Sequence, residues 1–135
     1  MMSDKLHKYN SYKAFMVDPF DQSTSIVDLA VDEFGSILGS SKAVIDCSTI
    51  DIITLNDKHM AIVDDEGLFR NDTRYCKLAE YPQPLAGKLL ILGYDEDGES
   101  CSVDNEYAEE LSKTTRFMSE DFEGVEPKFE FVSWS

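Results

Sequence analysis

The segment "EYPQPLAGKLLILG" (80–93) carries a Gly87-Lys88 pair, the residue types of a phosphate-binding loop. Such a loop needs a glycine five residues before the pair, a hydroxyl residue after it, and a helix whose first N–H groups face the anion. Pro82 stands in the glycine position and Leu89 in the hydroxyl position. Leu89-Leu90-Ile91-Leu92 is too short and too continuously apolar for a surface helix, and reads as a strand buried on both faces. The stretch therefore reads as a turn: Pro82 and Pro84 hold the chain extended, and Gly87 turns it into the core. Lys88 keeps a second reading. Together with Arg70, Arg74 and Lys77 and the rings of Phe69, Tyr75 and Tyr81, it could grip an anionic nucleotide, with cations on phosphate oxygens and rings stacked on a base. The ordinary alternative is charge balance on the surface of an acidic protein.

Carboxylates supply the other constellation. Asp104, Glu106, Glu109 and Glu110 fall at the start and on the solvent side of a helical pattern. Side chains at i, i+3 and i+4 lie about 5 to 6 Å apart, close to the spacing of phosphates along one nucleic-acid strand. A rigid array of this kind can occupy a basic nucleic-acid channel; the ordinary alternative is a solvated face with Glu109 and Lys113 paired at i, i+4. "DEDGESCSVDNE" sets Asp95, Asp97, Glu99 and Glu106 at positions 1, 3, 5 and 12 of a calcium loop. Ser100 occupies the glycine position, and a strand precedes the loop where a helix should stand. A tight acidic turn is the preferred reading.

Catalytic patterns are not evident. No serine lies in a Gly-x-Ser-x-Gly setting, and His7 and His59 are far apart, which argues against a zinc or non-haem iron centre. Cys47, Cys76 and Cys101 form no Cys-x-x-Cys pair, so reduced thiols are expected, without a disulfide framework. The expectation is a non-enzyme with no cofactor and no metal, a small calcium-binding or enzymatic domain being the remaining alternative.

The elements that must position these residues follow from periodicity. "YKAFMVDPF" and "TSIVDLAV" read as strands separated by the turn pair Asp18-Pro19. Asp32 reads as the N-cap of a short helix through Phe34, Ile37 and Leu38 that stops at Gly39. "STIDIITL" and "HMAIV" read as a hairpin joined by "NDK". Residues 68–81 show no period and read as a loop with at most a turn or two of helix. After the strand Lys88–Tyr94, a helix from Asp104 is set by Tyr107, Ala108, Leu111, Thr115 and Met118. "KFEFVSW" reads as a last strand. These elements predict an α+β fold in one domain over 12–135, following a flexible segment 1–11. They give a mixed or antiparallel sheet of five or six strands, two helices and no second core.

Charge bounds the partners. The chain has 27 acidic and 12 basic residues, a formal net charge of −15, and nearly half of the acids lie between Asp95 and Glu130. Such a surface repels nucleic acid and anionic membrane and attracts basic partners. The polar start "MMSDKLHKYN" lacks the apolar run of a secretion signal, so a cytoplasmic location is expected.

Read in order, the strand into Asp18-Pro19, "VDDEGL" after a hairpin, and "YPQPLAGKLLILG" before an acidic turn resemble domain of unknown function 3846. This is a family of small domains common in phages, plasmids and other mobile elements. The resemblance covers roughly 12–100, is most specific over Pro82 to Gly93, and leaves the acidic helix outside. It implies a mobile-element origin, brings no catalytic residue, and points to the tasks of small phage proteins. The expected function is a non-catalytic accessory protein that inhibits a basic host defence factor through an acidic, nucleic-acid-mimicking face. The alternative is a sponge holding a nucleotide-derived signalling molecule near 70–93. Neither direct nucleic-acid nor membrane binding is expected, and homo-oligomerisation stays open.

Overall fold

The computed structural model describes residues 11–33, 36–66, 74–96 and 99–118. The chain forms β1 (Ser11–Asp18), β2 (Ser23–Ala30), α1 (Leu38–Ile45), β3 (Ile50–Thr54), β4 (His59–Asp64) and β5 (Tyr75–Lys77). It continues through β6 (Leu85–Ala86), β7 (Leu89–Tyr94), β8 (Ser100–Cys101), α2 (Asn105–Thr114) and β9 (Arg116–Met118). The fold is α+β, with a six-stranded antiparallel sheet in the order β2-β1-β7-β4-β3, β8 adding to β7, and a second, three-stranded sheet β6-β5-β9.

β7 is the centre of the main sheet. It pairs with β1 through Ile91↔Phe15 and with β4 through Ile91↔Ala61, and its side chains alternate between two apolar clusters. Leu89 and Ile91 pack with Val17, Cys76, Leu85, Val103 and Leu111 on the face covered by α2 and the small sheet. Leu90 and Leu92 pack with Ala14, Leu29, Ile37 and Ile45 on the face covered by α1. The strand is continuously apolar because both of its faces are covered. The expected single core is thus two apolar layers, one on each side of one sheet.

The expected turn at Gly87 holds: its φ is +83°, a region that L side chains rarely adopt, and its N–H donates to Arg74 O at 2.8 Å. The predicted hairpin of β3 with β4 forms, and the two strands read on either side of Asp18-Pro19 also pair, β1 with β2.

Three expectations are corrected. The helix predicted from Asp32 to Gly39 instead runs Leu38–Ile45, so Gly39 lies in its first turn. Asp32 Oδ1 does accept from Ser36 N–H at 2.9 Å, but the bond closes a turn ahead of the helix. Within 68–81, read as a loop, Tyr75–Lys77 forms a strand between β6 and β9. The helix expected to reach Met118 ends at Thr114, because Thr115 turns extended (φ −68°, ψ 136°) and the chain leaves to pair with β5 through Phe117↔Cys76. The strand expected over "KFEFVSW" lies outside the described residues, as does Phe34. Among the described residues, no helix is long and apolar enough to cross a membrane.

Candidate functional site

α2 is specified locally. Asp104 is its N-cap and accepts from Tyr107 N–H at 3.1 Å, pairing one of the N–H groups that a helix start leaves open. Ala108 and Leu111 bury one side against the sheet, which turns Glu106, Glu109 and Glu110 to solvent. Glu109 and Lys113 form the expected i, i+4 pair at 3.8 Å, both well exposed.

Beside this helix lies a cleft of about 480 Å³. One wall is α2, with Asp104, Glu106, Tyr107 and Glu110; the facing wall is the β3–β4 turn (Asn56 to His59) with Ala79 and Glu80. Lys58 is the cation among the lining residues, so the cleft extends the negative face of the helix into a concavity.

A polar network holds the two walls together. Tyr107 Oη donates to Glu80 Oε1 at 2.5 Å, and Asn56 Nδ2 donates to the same oxygen at 2.9 Å. Tyr94 Oη donates to Asn56 O at 2.7 Å. His59, buried in the facing wall, stacks on Tyr107 with ring centroids 4.0 Å apart. Its Nε2 accepts from Asp104 N–H at 3.3 Å, and its Nδ1 lies 3.3 Å from Asn56 Oδ1. Asn56 Oδ1 also accepts from Lys58 N–H, so the Nδ1 contact is a donor contact and the ring is the neutral Nδ1–H tautomer.

Burial lowers the His59 pKa from its ordinary value; Asp104 and Glu80 oppose the shift and Lys58 adds to it. Burial also raises the Tyr107 pKa, helped by its bond to Glu80. Both groups are therefore uncharged at neutral pH, and the cleft charge comes from its carboxylates. Cys76 is a core residue, its thiol pushed up to about 12 by burial.

The basic stretch is less assembled. Arg70 and Phe69 lie outside the described residues. Arg74 and Tyr75 are half-buried at the start of β5, and Lys88 is half-buried ahead of β7. Tyr81 packs against the core. Lys77 is fully buried, its ammonium donating to Leu78 O at 3.2 Å and Tyr81 O at 2.6 Å. It holds the Leu78–Tyr81 turn that carries Glu80, and from there it does not reach a surface ligand. In the acidic turn, Asp95 Oδ1 accepts from Glu99 N–H at 2.9 Å, a tight-turn arrangement; Asp97 lies outside the described residues.

Sequence reasoning missed His59, Asn56, Glu80 and Tyr107 as a group. Tyr107 had a signal, its place in the helical spacing. The others sit in a hairpin turn and an aperiodic segment, and they meet only through the sheet.

Fold and site together define an antiparallel α+β domain with an acidic cleft between its last helix and a hairpin turn. The family described as Domain of unknown function (DUF3846) matches residues 12–116, and the chain belongs to it. The match runs past the expected end at Ser100 and takes in all of α2, so the acidic helix is part of the family domain. An uncharacterized protein, y4iR, of Sinorhizobium fredii (strain NBRC 101917 / NGR234) is 32% identical over 82 residues, 61% of this chain and 49% of that protein. The chain spans about half the length of this curated relative. No solved structure matches the chain.

Proposed function

We propose that the protein is a non-catalytic accessory protein of phage or mobile-element type that binds a basic host factor where nucleic acid would otherwise bind, and so inhibits it. The observation that carries this reading is a run of acids across two elements. Asp104, Glu106, Glu109 and Glu110 are exposed on α2, and Asp57 and Glu80 are exposed across the cleft. α2 is fixed to the core by Leu111 and capped by Asp104, so the array is rigid, as a mimic of phosphate spacing requires. The resemblance to a mobile-element family supplies the host setting.

The test is retention of host proteins on the immobilised chain, compared with a Glu106→Lys/Glu109→Lys/Glu110→Lys variant. Wild type is expected to hold a basic nucleic-acid-binding protein that duplex DNA displaces. Retention should fall as salt rises from about 50 to 500 mM, because screening removes attraction between exposed charges. A folded triple variant that retains the same protein equally well would reduce α2 to a solubilising face.

The sponge reading keeps one favourable observation. The bond from Gly87 N–H to Arg74 O sets Arg74 opposite Gly87, the residue next to Lys88. The burial of Lys77 removes one of its four cations from the surface.

A further inference from the structure

The inference rests on the reading of α2 as the partner surface and concerns what holds that surface in place. His59 is 5% exposed, and both of its ring nitrogens are engaged. Nε2 accepts from the backbone N–H of Asp104, which only an unprotonated nitrogen can do. Asp104 in turn caps α2 through its carboxylate. A proton arriving at Nε2 sets two N–H groups against each other across 3.3 Å and places a cation beside the Asp104 carboxylate. Neither the cap nor the ring position survives that change intact.

We propose that His59 is a proton-operated latch on α2: proton uptake at Nε2 expels the Asp104 N–H, draws the Asp104 carboxylate off the helix cap, and loosens the first turn, which carries Glu106 and Tyr107. The groups that face the ring come from each packed element. α2 supplies Asp104 and the neutral Tyr107 hydroxyl, and the segment before β6 supplies Glu80. The β3–β4 turn supplies Asp57 and Lys58, and β7 supplies the Tyr94 hydroxyl through Asn56.

The direction follows from burial, which keeps the folded-state pKa of His59 below its ordinary 6.5. The unfolded chain binds the proton first as pH falls. The stabilisation is therefore complete above pH 6.5 and is lost as pH drops from there through the lower folded-state value. The surface is set at neutral pH and released as pH falls through that lower value.

The chain has only one other histidine, His7, so a His7→Gln background leaves His59 as the sole histidine ring to follow. Nuclear magnetic resonance would follow the His59 ring nitrogens and the hydrogen-exchange protection of the Asp104 and Tyr107 amides between about pH 7.5 and pH 5. The expected result, after correction for the intrinsic exchange rate, is a protection loss of about ten-fold that tracks ring protonation. The Leu90 and Ile91 amides should keep their protection, and a further His59→Gln change should abolish the pH dependence.

The latch is overturned by a ring that takes up its proton while both amides stay protected, by a ring that stays neutral throughout, or by the same loss in His59→Gln. Should His59→Gln fail to fold, the ring and amide titrations of the single-histidine protein decide the matter alone. No partner enters the measurement. Decalysine binding at about pH 7.5, compared between wild type and the triple α2 variant, tests the acidic surface separately.

Discussion

α1 and α2 are similar in length, eight and ten residues, and their ends are made in different ways. α1 begins at Ile37 without a side-chain cap, places Gly39 in its first turn, and closes on Asp46 in the left-handed conformation. Its Ser41 hydroxyl is buried without a hydrogen-bond partner among the described residues. α2 has a capping aspartate, an acidic first turn, a basic last turn and a clear apolar stripe. α1 is a helix chiefly because Leu90, Leu92 and Leu29 need a cover, which Ile37 and Ile45 provide. α2 carries its own instructions and adds a charged outer face to them. A helix held by its neighbours can be displaced in a sequence reading, whereas one with cap and stripe starts where its residues put it.

The comparison can be broken at three points. The largest expected effect is at the α2 stripe: Leu111→Ala removes a side chain only 2% exposed and should cost about 2 to 4 kcal/mol in a denaturant titration. A loss below about 1 kcal/mol would mean that α2 is not anchored as described. Next is the cap, where Asp104→Ala should cost about 1 kcal/mol. It should also expose the Tyr107 amide to exchange while leaving the α1 amides unchanged. The smallest effect has the opposite sign. A Cβ added at Gly39 meets nothing within 4 Å, so Gly39→Ala should raise stability by about 0.5 kcal/mol through helix propensity. A fall in melting temperature would contradict the view that α1 is locally under-specified.

What could be read from the chain follows the same division. β7 was legible because a four-residue aliphatic run flanked by turn residues has few other outcomes, and Gly87 because a glycine before such a run marks a change of direction. α2 was legible at its start and misread at its end. Thr115 and Met118 fit the helical spacing, but pairing of Phe117 with Cys76 and of Met118 with Tyr75 overrides it, and those partners lie far back in the chain. β5 escaped for a related reason: three residues give no period, and one of their two partner strands, β9, is non-local. Lys77 read as a surface cation because its type almost always is one; two carbonyls make its burial tolerable. The cleft was half legible, through Glu106 and Glu110. Its other wall, with His59 and Glu80, depends on β4 and β7 lying side by side.

The strand order β2-β1-β7-β4-β3 bears on how the molecule comes into being. The β1–β2 and β3–β4 hairpins are local, and each can close on its own within microseconds. They share no border. β7, which follows both in the chain, must enter between them and supply two inner edges at once. Until Leu89–Tyr94 has left the ribosome, the two hairpins lack the strand that joins them and keep open apolar edges, the condition most exposed to wrong pairing. Joining them closes long loops, so the committing step is late, non-local and slow beside hairpin closure.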